Sequence, residues 1–482
     1  MNKKQILFML LPYLIISAVV LFIGSFFLRY PLYVDEGTFL TLSQGFLKGH
    51  LPYRDVFDNK PPLLYIFLLP AVLISGQDIQ MLHLCAFGGF YLISMLLLYQ
   101  LLIPFGRQKA LILTVFWIVF SFNLSGYAGS NLMSETVALP FLIAFYGILF
   151  NHASGRRRDL LLGTFAAVCM LINQHCFFVI IPLISESIQK RKISLDILLG
   201  GAAVSLPVIA YLLVTQSLNA SIFAMFIEPM RFNLSSAPVD TISFVVFSII
   251  AILLAQLTPK KLHYYLLWFW PGFLLLQLDN GFSLAGRKGI LILPALLPYL
   301  ALALSYPIVL VNRRFRLLVK VSAVLICTFL LIRIVIQTSV LDRDEEMGAI
   351  LTYDQQIKVR DYFGSATDPE SSLFVFPRNV ELYYLTQKTP VTYYVHFYRA
   401  YLWLMQEYPE NAEEFILKYL DAEPPDYIIF NTNDSNAKDY SGIAQFIADN
   451  PYVLVRDFRG LEIYKYVQPS PCLLYTSPSP RD

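Results

Sequence analysis

Charge is what this sequence has least of. Asp, Glu, Lys and Arg make up 15% of its 482 residues, against a hydrophobic share of 56%. Soluble domains run at about 25% charged and about 45–50% apolar, so an ordinary soluble domain is excluded as a description of the whole chain. The net charge of +2 and the absence of a basic stripe interleaved with aromatics argue against nucleic acid as a partner. Cysteine is scarce too. Cys85, Cys169, Cys176, Cys327 and Cys472 show no CxxC spacing, which removes a disulfide framework or zinc ribbon and leaves small buried apolar roles. His83, His175 and His263 sit in or beside apolar runs without HExxH spacing. They read as hydrogen-bonded packing residues that fit no zinc motif; a carboxylate pair such as Asp35-Glu36 could hold a divalent cation, though two acids alone are a weak metal signal. GxSxG and GxxxxGK[ST] are both missing, so neither a hydrolase elbow nor a phosphate loop supports nucleotide hydrolysis.

What is present is a series of long apolar runs between residues 5 and 338. About 20 apolar residues cross the roughly 30 Å of hydrocarbon in a bilayer. Gln5 to Leu28 meets that length and lacks a small-residue cleavage site, so it reads as an anchor. Spans are expected at 5–28, 81–104, 109–122, 135–151, 159–172, 176–188, 194–214, 241–258, 262–277, 290–311 and 317–338, about eleven in all. The pair 159–172 and 176–188 reads as half-helices meeting at Asn173-Gln174-His175. This count puts Lys3-Lys4, Arg107/Lys109, Arg156-Arg157-Arg158, Lys190-Arg191-Lys192, Lys260-Lys261 and Arg313-Arg314 on one side with the N-terminus, the cytoplasmic side by the positive-inside rule. Asp35-Glu36, Glu135, Gln174, Arg287-Lys288 and the C-terminal region fall opposite. The result requires that the apolar segment 61–76 lie in or dip into the outer interface rather than cross. Pro61-Pro62 is a natural start for such a helix, because first-turn amides have no helical partner. A second interfacial helix is expected from Gly37 to Gly49, with Phe39, Leu42 and Phe46 on one face.

The outer loop 29–80 carries the densest chemistry: Tyr33-Val34-Asp35-Glu36-Gly37, then Pro52-Tyr53-Arg54-Asp55, then Asp58-Asn59-Lys60-Pro61-Pro62. Charge at the centre of a bilayer costs about 2.5–3.5 kcal/mol per residue on insertion scales, so charges crowded against the membrane are paired, wet or functional. Outer loops can be polar for solubility alone, but this one is long and punctuated by Gly and Pro. Glu135, in Ser134-Glu135-Thr136, opens the fourth span on the same face. A serine cap with a first-turn glutamate explains it structurally, and a place in the site explains it equally. Arg54, Lys60, Arg231, Arg287 and Lys288 are outer-face cations. A phosphate at the membrane surface would suit them; snorkelling or pairing with the loop acids is the alternative.

From about residue 340 the composition changes to a charged, Tyr-rich pattern. SLFVF (372–376) and DYIIF (426–430) read as buried strands, and AEEFILKYL (412–420) and GIAQFIA (442–448) as amphipathic helices. YVLV and LEIYKY read as a closing strand pair around Arg459-Gly460. The expected architecture is a polytopic α-helical membrane domain over 1–339 and a small extracytoplasmic α/β domain over 340–467. Residues 468–482 are low-complexity; CLLYTSPSPRD looks like translated adaptor read-through, with a disordered tail as the alternative.

An Asp-Glu pair after the first span, then PYRD-x-x-D-x-KPPL, then a lone acid opening a later outer loop, resembles the GT-C superfamily of membrane glycosyltransferases. The pattern is most similar to the family 39-like bacterial enzymes, related to protein O-mannosyltransferases and the lipid A aminoarabinose transferase. The resemblance implies a polyprenyl-phosphate-linked sugar as donor and, at the inner membrane of a bacterial cell envelope, a glycan, lipid or protein acceptor. It implies that Asp35 is the catalytic aspartate with Glu36 beside it, that Lys60 contacts the lipid phosphate, and that Glu135 is the second acidic position. Asn173-Gln174 resembles a Lys-Gln of the family with Asn in place of Lys, and Arg287 lies in a block whose usual His-Tyr is missing here. An Arg-Leu that opens the second span in the family is His83-Leu84. The reaction expected is a single displacement with inversion: Asp35 as general base, Glu36 or Glu135 orienting it, and Lys60 with Arg54 or Arg287 neutralising the leaving phosphate. Asp58 and Gln174 complete the expected substrate contacts. A transporter or flippase of lipid-linked sugar would use the same charges without bond chemistry, and a membrane-anchored binding protein would use the outer domain.

Overall fold

A computed structural model describes residues 3–123, 129–151, 155–190, 194–227, 328–336, 351–368, 370–393, 412–434 and 441–467, with the single positions 297, 325 and 395. The chain forms two compact units, Met1–Asp344 and Glu345–Asp482.

The first unit is helical. Among the described residues, three helices are long and apolar enough to cross a bilayer: Gln5–Ser25, Ile79–Phe105 and Leu195–Val214. The first of these is the apolar part of α1, Lys3–Ser25. Leu7, Phe8 and Phe22 on it are more than 60% exposed, a pattern that water penalises and lipid does not. Pro12, Pro140 and Pro207 lie inside helices of this unit, Pro140 within Ser134–Asn151. A membrane bundle tolerates such prolines because neighbouring groups can re-satisfy the carbonyls they free. The expected spans at 109–122, 135–151, 159–172 and 176–188 are the helices Arg107–Ser121, Ser134–Asn151 and Arg156–Ile172, and a short 3-10 turn, Gln174–Val179, leading into Ile180–Lys190. The expected spans at 241–258 and 262–277 lie outside the described residues, as do nearly all of 290–311 and most of 317–338.

Between α1 and the Ile79–Phe105 helix lie α2, Val34–Leu47, and α3, Leu63–Ser75. At 13 residues α3 is about 20 Å long, short of the roughly 30 Å hydrocarbon thickness. Pro62 caps it in helical geometry, and Leu64, Tyr65, Leu68, Ala71, Val72 and Ser75 form its buried face. On its other side Leu73 and Ile74 stay exposed. α2 packs against α3 and buries Phe39, Leu40 and Leu42; the half-buried Phe46 ring lies 6.1 Å from that of Tyr211. α2 begins three residues before the Gly37 start expected from the sequence. Asp35 and Glu36 therefore stand in its first turn, where negative charge meets the positive end of the helix dipole.

The tightest helix pair joins Arg156–Ile172 to Leu195–Val214. A Cβ on Gly163 would lie 1.9 Å from the Ile197 carbonyl oxygen, and one on Gly200 2.1 Å from that of Leu160. The backbones touch because both positions lack side chains. At the ends of the same pair Asp159 accepts from Ser194 Oγ at 2.7 Å and pairs with Arg158 at 3.1 Å, while Arg156 reaches Asp196 at 3.2 Å.

The second unit is an α/β domain. Strands β1, Leu373–Phe376, β2, Tyr427–Asn431, β3, Tyr452–Asp457, and β4, Leu461–Tyr466, form one sheet in the order β1-β2-β4-β3. β1 and β2 are parallel, and β4 runs antiparallel to both its neighbours. Phe374, Phe376, Ile428 and Phe430 pack under Ile416 and Leu420 of the Ala412–Ala422 helix and Ile443 and Phe446 of the Ser441–Asp449 helix. Arg459 and Gly460 between β3 and β4 both have positive φ, 57° and 85°. That is the geometry of a two-residue hairpin turn matched to strand twist. A Thr352–Gln355 capping box starts the Tyr353–Ala366 helix.

The close helix pair makes a clear prediction. Gly163→Ala or Gly200→Ala forces two backbones apart and lowers stability by about 1–3 kcal/mol. Thermal unfolding in detergent checks this, and a melting temperature equal to that of the unaltered protein contradicts it.

Candidate active site

The candidate site is assembled from four stretches of chain that begin or interrupt helices on the sequence-predicted outer side. The first is the opening of α2. Glu36 is fully buried, and its Oε1 accepts the Leu132 amide at 2.7 Å. Burial pushes the Glu36 carboxyl up to about 7, with the amides of Leu132 and Tyr33 pulling the other way. Asp35, its neighbour, is partly exposed.

The second stretch opens the Ser134–Asn151 helix. Ser134 Oγ lies 3.2 Å from Glu135 Oε2 and accepts from Asn173 Nδ2 at 3.0 Å. Ser134 is the first residue of that helix. It links Glu135 to the third stretch, Asn173-Gln174-His175. Asn173 Oδ1 accepts the His175 amide at 2.9 Å and so starts the 3-10 turn. Gln174 Nε2 donates to the Asn59 carbonyl at 2.9 Å. Its Oε1 is buried with no hydrogen-bond partner among the described residues.

The fourth stretch is Asp58-Asn59-Lys60, all three residues largely buried. Tyr65 donates to Asp58 Oδ2 at 2.7 Å and lies 3.2 Å from the Lys60 carbonyl; Tyr53 also donates to that carbonyl. Burial, and then the charge of Asp58, push both phenols well above the usual tyrosine range, so they stay protonated donors. Tyr53 has φ of +66°, rare for a bulky residue, within the turn that carries Arg54 and Asp55.

Glu36, Asp58, Lys60, Glu135 and Gln174 are thereby joined through short runs of chain and hydrogen bonds. Arg54 is not part of that network. It is half-exposed and pairs with Asp55 at 2.7 Å, and Asp55 also accepts the Leu51 amide. Arg287 lies outside the described residues. Among the described residues no group of three or more His, Cys, Asp or Glu side chains is arranged to hold a metal ion.

Some members of the network are not evident as site residues from sequence. His83, read there as a packing residue, sets Nδ1 2.9 Å from the Ser130 carbonyl. It braces the segment whose Leu132 amide meets Glu36. Tyr53 and Tyr65 have a signal in PYRD and KPPLLY, but only the fold shows their hydroxyls meeting at Lys60. Leu132 has no signal at all, because its contribution is a backbone amide.

No protein-family model matches the sequence, and no curated protein matches it. Solved structures do match in fold. The crystal structure of ArnT from Cupriavidus metallidurans bound to undecaprenyl phosphate aligns with a TM-score of 0.62, over 96% of this chain and 98% of that one, at 12% identity. ArnT from Cupriavidus metallidurans in the apo state aligns with a TM-score of 0.57, over 94% and 97%, at 13% identity. Coverage on this scale takes in both units. The chain thus shares the fold of these structures: a helical unit with several apolar membrane-span candidates and a small C-terminal sheet.

The buried Glu36 carboxyl generates a prediction about pH. Its folded pKa lies above its ordinary value, so its contribution to stability is complete below pH 4.5 and is lost as pH rises through about 7. The shift corresponds to about 3 kcal/mol at most. Glu36→Gln keeps an oxygen for the Leu132 amide and removes the titration. Its melting temperature is expected to vary less between pH 5 and 8 than that of the unaltered protein, and parallel profiles for the two proteins contradict the assignment.

Proposed function

We propose that this chain is an integral membrane glycosyltransferase that moves a sugar from a polyprenyl-phosphate donor to an acceptor outside the cytoplasm, with inversion at the anomeric carbon. The observation that carries the proposal is the convergence of Glu36, Asp58, Lys60, Glu135 and Gln174 through the Glu36–Leu132, Gln174–Asn59 and Asn173–Ser134 hydrogen bonds. It occurs within a fold that aligns along nearly its whole length with a protein bound to undecaprenyl phosphate. The positive-inside pattern supports an inner-membrane orientation with the N-terminus in the cytoplasm and the site on the far side.

In this mechanism Asp35 accepts the proton of an acceptor hydroxyl or amine as that group attacks the anomeric carbon. The bond between the sugar carbon and the phosphate oxygen breaks as the new one forms, and the lipid phosphate leaves. Asp35 is the base rather than Glu36 because it is partly exposed and can meet an acceptor, whereas Glu36 is buried and engaged with Leu132. Lys60 neutralises charge growing on the leaving phosphate. Arg54 is engaged by Asp55, so Lys60 carries that role, with Arg287 as a second cation on the family resemblance. The buried Gln174 Oε1 offers an acceptor to a donor-sugar hydroxyl. Glu135, held through Ser134, keeps a second negative group in the site.

Loss of a general base typically costs about 10²–10⁴-fold in rate. Asp35→Asn is expected to lower transfer from a radiolabelled polyprenyl-phosphate sugar by that factor while the protein still expresses and melts normally. Lys60→Ala is expected to raise KM for the same donor. Full transfer by Asp35→Asn would sink the proposal, and sugar crossing a vesicle membrane without transfer would make the protein a transporter.

A further inference from the structure

The three residues Asp58-Asn59-Lys60 are held to an unusual degree. Tyr65 takes the Asp58 carboxylate, Gln174 the Asn59 carbonyl, and Tyr53, with Tyr65 beside it, the Lys60 carbonyl. Pro61 and Pro62 follow immediately and restrict the backbone from the other side. The two phenols are fully buried. A phenylalanine at either position would fill the same space without a hydroxyl to satisfy, and a buried hydroxyl stabilises only when its partner is in place. Tyr53 reaches that carbonyl from a left-handed backbone conformation, φ +66°. A bulky residue adopts that conformation only where its surroundings over-determine it. The bonds converge on the backbone of a lysine, where packing alone would not require them.

We infer that Tyr53 and Tyr65 are positioning residues for Lys60. They clamp its carbonyl so that the ammonium group is presented to an anionic phosphate at a fixed place. This inference rests on the reading of Lys60 as the phosphate-binding residue. It adds that phosphate affinity depends on two phenols that themselves touch no ligand. A rigid clamp matters because a cation on a flexible stem loses binding energy to side-chain and backbone ordering.

The test measures binding of undecaprenyl phosphate to the full chain in detergent for Tyr53→Phe and Tyr65→Phe. Each variant is made in the unaltered protein and again in a Lys60→Ala background, with a melting temperature for each. Each phenol deletion is expected to weaken binding about three- to tenfold where Lys60 is present, and to have no further effect where Lys60 is alanine. Two phenols are tested so that poor folding of one variant leaves the other to decide. If Lys60→Ala binds as tightly as the unaltered protein, the phosphate reading itself fails. If Lys60→Ala weakens binding but the phenol deletions do not, or if their effect persists undiminished without Lys60, the clamp is overturned and the phosphate reading stands.

Discussion

A carboxyl group buried at the edge of a membrane domain must find a donor or give up its charge, and Glu36 does part of each. Its bond to the Leu132 amide joins residues 96 positions apart, while burial raises its carboxyl to about 7. Much of the candidate site hangs on that contact. It holds the first turn of α2, and with it Asp35, against the stretch that leads into Glu135. His83 fixes the same stretch from the neighbouring helix through Ser130. An apolar residue at 36 would be easier to bury, but it would leave the Leu132 amide without its acceptor and the two acids without a link.

The short helices follow from the same economy of buried polar groups. At 13 residues α3 falls short of the hydrocarbon thickness, and its N-terminal end meets polar partners. Its first turn delivers Tyr65 to Asp58 and the Lys60 carbonyl. The break at Asn173 works in the same way. Interrupting a helix frees amides and carbonyls that lipid cannot satisfy, and Asn173 meets one of them with its own side chain while bonding Ser134 with the rest. The interruption thereby exposes Gln174 to the Lys60 loop. Irregular backbone and site chemistry coincide because only where protein lines the break is the break affordable.

Comparison by fold and comparison by sequence diverge sharply here. At 12% identity little of the side-chain pattern persists, yet the layout of helices and C-terminal sheet does. Conservation of layout is expected where the bilayer dictates helix length and burial dictates which faces meet. Individual contacts are freer.

Much of the architecture was legible in residue order alone. Apolar run length identifies α1 and Leu195–Val214, short continuous apolar runs locate β1 and β2 to within one residue, and Arg459-Gly460 announces the β3–β4 turn. These features depend on local periodicity and on the dihedral preferences of single residues. The crowding of Asp35, Glu36, Asp58 and Lys60 into one loop was equally legible, because they are near in sequence. Glu135 and Gln174 were legible as candidates, but not what holds them. The start of α2 at Val34 rather than Gly37 was hidden, since the N-cap Tyr33 makes no side-chain cap bond to mark it. The contacts from Glu36 to Leu132, from Gln174 to Asn59, and from Tyr53 to Lys60 were decided only by the tertiary structure. Each ends on a backbone amide or carbonyl, which every residue but proline carries in full, so no choice of side chain at that end could have signalled it.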